Sequence, residues 1–192
     1  MPNTPLRRRC FLKALGGTML GSAVMAPQLA QAATVSSARV LPMDRGLKLE
    51  NLHTGDRVDA EFWTPDGYQP DALAAINQAL RDHRADQATD MDIRLLEVLS
   101  ELSRRLDTHE TIQVVSAYRS PATNEMLRRK GHKVAKRSYH MKGQAIDIRI
   151  PGVPLKDLHR AALSLKSGGV GYYGRSNFVH VDVGPVRRWG KA

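Results

Sequence analysis

The run Ser138-Tyr139-His140-Met141-Lys142-Gly143-Gln144-Ala145-Ile146-Asp147-Ile148 constrains this chain more than any other stretch. It reads S-x-H-x-x-G-x-A-x-D, a polar, glycine-punctuated segment that passes directly into a strand-type alternation. An imidazole is thereby set in a loop and a carboxylate on the next strand. Gly143 allows backbone conformations closed to other residues, and Ala145 keeps the approach to Asp147 uncrowded. A second histidine sits in another strand-like run, Asn177-Phe178-Val179-His180-Val181-Asp182-Val183. Side chains alternate faces along a strand. Asp147 then shares a face with Ala145 and Arg149, and His180 with Phe178 and Asp182. Ile146, Ile148, Ile150, Val179, Val181 and Val183 take the opposite faces. If the two strands are neighbours, each buries its aliphatic face and His180 and Asp147 converge, with the loop of His140 folding back to join them. Two imidazoles and one carboxylate are the ligand set of a catalytic zinc that keeps a fourth position open.

The first residues read as a targeting segment and are set apart from the fold. Arg7-Arg8-Arg9 form a basic start, Phe11 to Ala26 is weakly apolar, and Ala30-Gln31-Ala32 is an A-x-A cleavage site. Arg8-Arg9-Cys10-Phe11-Leu12-Lys13 resembles a twin-arginine motif. The expectation is a signal peptide over 1–32, a flexible lead over 33–39 and one domain over 40–192, exported to a periplasm by the twin-arginine machinery. The apolar stretch is short for a membrane span, so no stable span is expected after cleavage. Cys10 is the only cysteine and leaves with the signal, which removes disulfides, thiolate ligands and a cysteine nucleophile from the mature protein.

The segment 1–32 holds four of the 29 Lys and Arg and none of the 19 acids, so the remainder carries +6 rather than +10. That charge suits an anionic wall polymer or membrane surface as well as nucleic acid. Aromatic residues make up 5% and form no stripe with Lys and Arg, so no base-stacking platform is expected and nucleic acid is not the partner.

Turn chemistry at Gly55 and Asp66-Gly67 predicts a hairpin of Leu47–Leu52 with Arg57–Trp63. Helical spacing predicts helices over Asp71–Arg84 and Asp92–Leu106, the second carrying Arg104 and Arg105 at its dipole-favoured end. Thr111–Tyr118 reads as a buried strand, Ala122–Lys130 as a short helix, Ala145–Ile150 as a strand and Leu155–Leu165 as an amphipathic helix. Gly168–Gly174 and Phe178–Val183 read as a final hairpin. The order predicts a single α+β domain with a mostly antiparallel central sheet flanked by helices. His83 and His109 fall at helix ends and are expected at the surface or as caps.

With S-x-H-x-x-G-x-A-x-D, Ser116-Ala117-Tyr118-Arg119-Ser120 and Phe178 to Gly184 in place, the chain resembles the zinc peptidases of the D-Ala-D-Ala carboxypeptidase type, in the superfamily of lysostaphin-like enzymes and the Hedgehog signalling domain. Within that group it is most similar to the exported MepK-type murein endopeptidases, over roughly residues 40 to 190. The resemblance implies that His140, Asp147 and His180 hold Zn2+, that Arg119 grips or polarises the substrate, and that the substrate is a peptidoglycan stem peptide. Two further readings stand beside the endopeptidase. One is a carboxypeptidase trimming terminal D-Ala, and the other a non-catalytic, zinc-stabilised wall-binding domain.

In several relatives an acid three residues before the last histidine is the general base, and here that position is Asn177. Asp182, on the strand face of His180, is the substitute expected as base, with hydrogen bonding to a ligand histidine as its rival role. His132 is a further acid–base candidate against a solvated loop position. Ser138 is expected near the metal loop, not as a nucleophile. Tyr118, Tyr172 and Tyr173 are read as cleft walls or as core.

Overall fold

The computed structural model describes residues 45–132 and 134–190. The signal expected over 1–32 and the lead over 33–39 lie outside the described residues.

Among the described residues eight strands form one sheet in the order β3-β2-β1-β4-β5-β7-β6-β8. The strands are β1 (Arg45–Asn51), β2 (Arg57–Thr64), β3 (Gly67–Tyr68), β4 (Ile112–Ser116), β5 (Ala145–Arg149), β6 (Gly169–Tyr173), β7 (Phe178–Asp182) and β8 (Arg187–Trp189). Neighbours run antiparallel except β1 with β4 and β6 with β8. The α+β class and the mostly antiparallel sheet are therefore as expected. The helices are α1 (Pro70–Ala79), α2 (Ile93–Arg105), α3 (Pro121–Arg129) and α4 (Leu155–Leu165).

The core lies between one face of the sheet and α1, α2 and α4. Leu47, Leu49, Ile112, Val114, Ile146, Ile148, Val179 and Val181 supply the sheet side. Ile76 of α1, Leu95, Leu96, Leu99 and Leu102 of α2, and Leu158 and Ala162 of α4 supply the helical side. Leu95, Leu96, Leu99 and Leu102 recur at the spacing that puts them on one helical stripe, and all four are wholly buried. Each such leucine contributes about 2 kcal/mol of transfer free energy. With its aliphatic side facing this core, the sheet turns Asp147, His180 and Asp182 to its other face.

Three sequence expectations shift. The first helix ends at Ala79 rather than running to Arg84. Asp82 competes with the helix: its main chain pairs with Gln87, and its carboxylate accepts from the Arg84 N–H at 3.0 Å. Gly67–Tyr68 folds back on β2 as a strand instead of only closing a turn. The sheet also does not stop at Val183, because Arg187–Trp189 adds an edge strand parallel to β6.

The centre of the sheet positions the site. Asp147 and His180 are direct cross-strand partners in the β5–β7 ladder. On the other side of β5 the β4 register shifts between Val114 and Ser116, so that Ser116 pairs with Asp147. A bulge of this kind bends a strand and re-aims the residues beyond it. Here it directs Ala117 and Arg119 towards the site.

Candidate metal centre and cleft

His140 lies on a 3-10 turn, Tyr139–Lys142, whose start is capped by Ser138. The Ser138 hydroxyl accepts from the His140 N–H at 3.3 Å. Gly143 ends the turn in the left-handed region at φ 64°, and a Cβ there would stand 2.7 Å from the Asp90 carbonyl oxygen. Only glycine meets both demands without strain. The loop is then fastened to the start of α2. The Asp92 N–H donates to the Gly143 carbonyl at 2.9 Å, and Gln144 Nε2 donates to Asp92 Oδ2 at 3.0 Å.

In this arrangement His140 Nε2 stands 3.3 Å from His180 Nδ1. Asp147 Oδ1 is 2.8 Å from His180 Nδ1 and 3.5 Å from His140 Nε2. The opposite nitrogens are both committed. His140 Nδ1 is 2.7 Å from the Ala117 carbonyl, which can only accept, so that nitrogen carries a proton and donates. His180 Nε2 donates in the same way to Asp182 Oδ2 at 3.0 Å. In the neutral imidazoles the facing nitrogens are therefore bare. Two nitrogen lone pairs and a carboxylate oxygen converge within 4.8 Å, a concentration of negative potential that a cation relieves. The donor set fits zinc, with its outer nitrogens fixed by a carbonyl and a carboxylate.

The charges agree with the contacts. Burial works to raise the Asp147 pKa, but His140 and His180 overcome it and hold the carboxyl well below the usual carboxylate range. Burial works to depress His180, but Asp147 and Asp182 both accept from its protonated form, which more than offsets burial and raises its pKa; a cation among the donors would take the place of the Nδ1 proton.

Asp182 lies on the Nε2 side of His180, away from the nitrogen that faces Asp147 and His140. Its side chain is fully buried. Oδ1 accepts from the N–H groups of Gly169 and Gly184 at 3.0 and 2.9 Å and from Arg187 at 3.0 Å. Oδ2 accepts from Arg187 at 2.6 Å as well as from His180. Burial opposes the charge, yet His180, Arg187 and the two backbone donors keep the carboxyl well below its ordinary value.

A cleft of about 610 Å³ opens over the donor set. Arg119, His132 and Arg137 line it together with Tyr139, Tyr173, Phe178, Arg187 and Trp189. Arg119 is 8% exposed. Its guanidinium donates to Asn124 Oδ1 at 3.4 Å and to Ser116 Oγ at 3.3 Å, both long bonds for a buried cation. Burial lowers its pKa and Asp147 pulls the other way. Its ordinary value is so high that the side chain stays charged.

The aromatic wall is continuous. Tyr173 stacks on Phe178 with ring centroids 4.5 Å apart, and Trp189 Nε1 donates to the Tyr173 hydroxyl at 2.9 Å. The indole also lies against His180, at 5.1 Å between centroids, and over Gly171, where a Cβ would come within 2.4 Å of it.

A family model described as peptidoglycan L,D-endopeptidase MepK matches residues 40–189. The peptidoglycan L,D-endopeptidase MepK of Escherichia coli (strain K12) is 46% identical over 179 residues, 93% of this chain and 94% of that protein. The probable peptidoglycan L,D-endopeptidase MepK of Haemophilus influenzae is 43% identical over 176 residues, 91% of each. The chain belongs to the MepK family.

In this MepK-family chain the structure brings His140, Asp147, His180 and Asp182 into one hydrogen-bonded group, with Arg119 in the same cleft. Asn177 is not drawn in. It is exposed, stands at φ 54° in the turn between β6 and β7, and its neighbours Ser176 and Phe178 line the cleft instead. A short polar asparagine is among the residues that tolerate this conformation best. Of the three tyrosines read as walls or core, Tyr173 lines the cleft, and Tyr118 and Tyr172 pack against the core. His132 is exposed at the cleft rim, and His109 is exposed at the surface. Sequence reasoning missed Arg187 and Trp189. The one available signal was an Arg-Arg-Trp run four residues past the last recognised strand residue, which without alternation or a turn pattern reads as tail.

Proposed function

We propose that this MepK-family chain is an exported zinc peptidase that hydrolyses L,D peptide cross-links of peptidoglycan. The observation that carries the metal part is the convergence of three donor atoms, two of them imidazole nitrogens whose outer partners fix the orientation of the rings. His140, Asp147 and His180 would hold the ion. Zinc bound in this way polarises a carbonyl as a Lewis acid and brings a bound water towards a neutral pKa.

The chain's own residues supply the rest. Arg119, charged and loosely satisfied beside the donor set, offers N–H donors to a developing oxyanion or to a substrate carboxylate. The cations that line the cleft, Arg119, Arg137 and Arg187, suit the carboxylates of a cross-linked stem peptide. The aromatic wall of Tyr173, Phe178 and Trp189 suits its aliphatic side chains. Asp182 orients His180 and is not the base. Its oxygens are already taken by His180, Arg187, Gly169 and Gly184, and its side chain is fully buried. The periplasmic location rests on the basic start, the twin-arginine-like run and the A-x-A site.

Zinc-loaded mature protein is incubated with purified sacculi and the muropeptides are separated. Loss of L,D-cross-linked dimers, absent after chelation and restored by zinc, is the expected result. Release of terminal D-Ala alone would instead indicate a carboxypeptidase, and zinc binding with unchanged muropeptides would leave only a wall-binding domain.

A further inference from the structure

A second buried carboxylate, outside the donor set, acts on Arg119. Asp82 is 1% exposed. Its Oδ2 accepts from the Ser120 N–H at 2.9 Å and its Oδ1 from the Arg84 N–H at 3.0 Å. Burial works to raise its pKa, but the hydroxyls of Thr123 and Ser120 and the two backbone donors outweigh it and hold the carboxyl below its ordinary value. Among the described residues no Lys, Arg or His forms an ion pair with it. A buried charge without a paired ion is costly even when hydrogen-bonded.

The reason for the charge lies one residue away. Three successive N–H groups leave β4 and each is held by a different part of the fold. Tyr118 donates to the Leu80 carbonyl at 3.0 Å, Arg119 to the His140 carbonyl at 3.2 Å, and Ser120 to Asp82. Ser120 is also the N-cap of α3, accepting from the Thr123 N–H at 3.2 Å. On α3 Asn124 accepts from Arg119 and donates to the Ala135 carbonyl at 3.1 Å, on the loop that lines the cleft. Asp82 thus pins the turn from which the guanidinium enters the cleft. Burial and the charge of Arg84 disfavour the cation there, while Asp147 and, after it, Asp82 favour it.

We propose that Asp82 is a positioning residue for Arg119, fixing the Tyr118–Ser120 turn from which the guanidinium enters the cleft. The inference rests on the substrate role given to Arg119 above.

A double-mutant cycle tests it with zinc-loaded Asp82→Asn, Arg119→Ala and the double variant acting on purified cross-linked muropeptide dimers. Zinc content and thermal midpoint are recorded alongside kcat and KM. Asp82→Asn should lower kcat/KM by about 10- to 100-fold, the cost of misplacing a group near the chemistry, with zinc content unchanged. In the Arg119→Ala background it should change kcat/KM by no more than about 2-fold, because the residue it acts through is gone. Asp82→Glu, which keeps the charge, should recover part of the loss. Equal losses in both backgrounds would overturn the proposal and reduce Asp82 to a contributor to folding. Wild-type turnover by Arg119→Ala would remove the Arg119 role itself, an outcome separate from additivity. If Asp82→Asn does not fold, Asp82→Ser, smaller and uncharged but still an acceptor, takes its place in the cycle.

Discussion

His53 and His83 stack nearly face to face, ring centroids 4.0 Å apart and planes 17° from parallel, whereas His140 and His180 meet edge-on at 5.1 Å and 63° in the cleft. Both pairs are close, yet only the second gathers its nitrogens around a carboxylate. The difference lies in what holds the outer edge of each ring. The Ala117 carbonyl and the Asp182 carboxylate each accept a hydrogen bond from one nitrogen of His140 and His180, so in the neutral rings the bare nitrogens face inward. Among the described residues no ring nitrogen of His53 or His83 has a hydrogen-bond partner, so nothing turns their nitrogens towards a common point. Proximity of imidazoles does not make a metal centre; oriented lone pairs do.

The largest break in this comparison is the removal of the shared carboxylate. Asp147→Asn should take the protein from about one zinc per chain to none detectable, and turnover on sacculi should fall to background. His53→Ala with His83→Ala should leave both unchanged. Metal analysis of the two purified variants decides the matter: zinc kept by Asp147→Asn would sink the assignment of the donor set.

A finer test loosens only the outer edge. Asp182→Asn leaves the three donors in place but weakens the hold on His180 Nε2. Zinc affinity, measured by chelator competition, should fall by about 10- to 100-fold, and turnover should return when zinc is saturating. Turnover that stays lost at saturating zinc would make Asp182 the base after all.

The two pairs were not equally legible in the sequence. His140 and Asp147 stood out because a glycine-punctuated loop and an alternating strand left few places for them to go. His180 followed from the alternation of Val179, Val181 and Val183, and the β5–β7 register confirms that Asp147 and His180 are opposite each other. The outer supports were less visible. That Ala117 offers its carbonyl depends on the β4 register shift, which no local pattern encodes. Arg187 and Trp189 sit on a three-residue edge strand, too short to show a period. The stacking of His53 on His83 joins a hairpin turn to the segment after α1, and depends on how far α1 runs before Asp82 ends it. Parallel pairing of β1 with β4 was hidden for a similar reason, since strand order is a property of the whole sheet. Local alternation reveals which face a residue takes, while the partners across the sheet come from tertiary packing.

The smallest effect belongs to the stacked pair, and it concerns protons rather than metal. Burial first, then the positive potential of His53 and Arg84, pushes the His83 pKa down from 6.5 to about 4. The folded imidazole therefore stays neutral where the unfolded one takes up a proton. Between about pH 6.5 and pH 4 the unfolded chain binds more protons, so folding stability falls as the pH is lowered through that window. Above pH 6.5 both states are neutral at this site and the contribution is fully present; below pH 4 both are charged and no more is lost. His83→Gln removes the titrating group, and its urea midpoint should decline less steeply than wild type across the same window. Because the pair borders solvent, the difference should be well short of the loss caused by breaking the core. Parallel pH profiles for the two proteins would show that the stack does not resist protonation. Its contrast with the cleft pair would then rest on geometry alone.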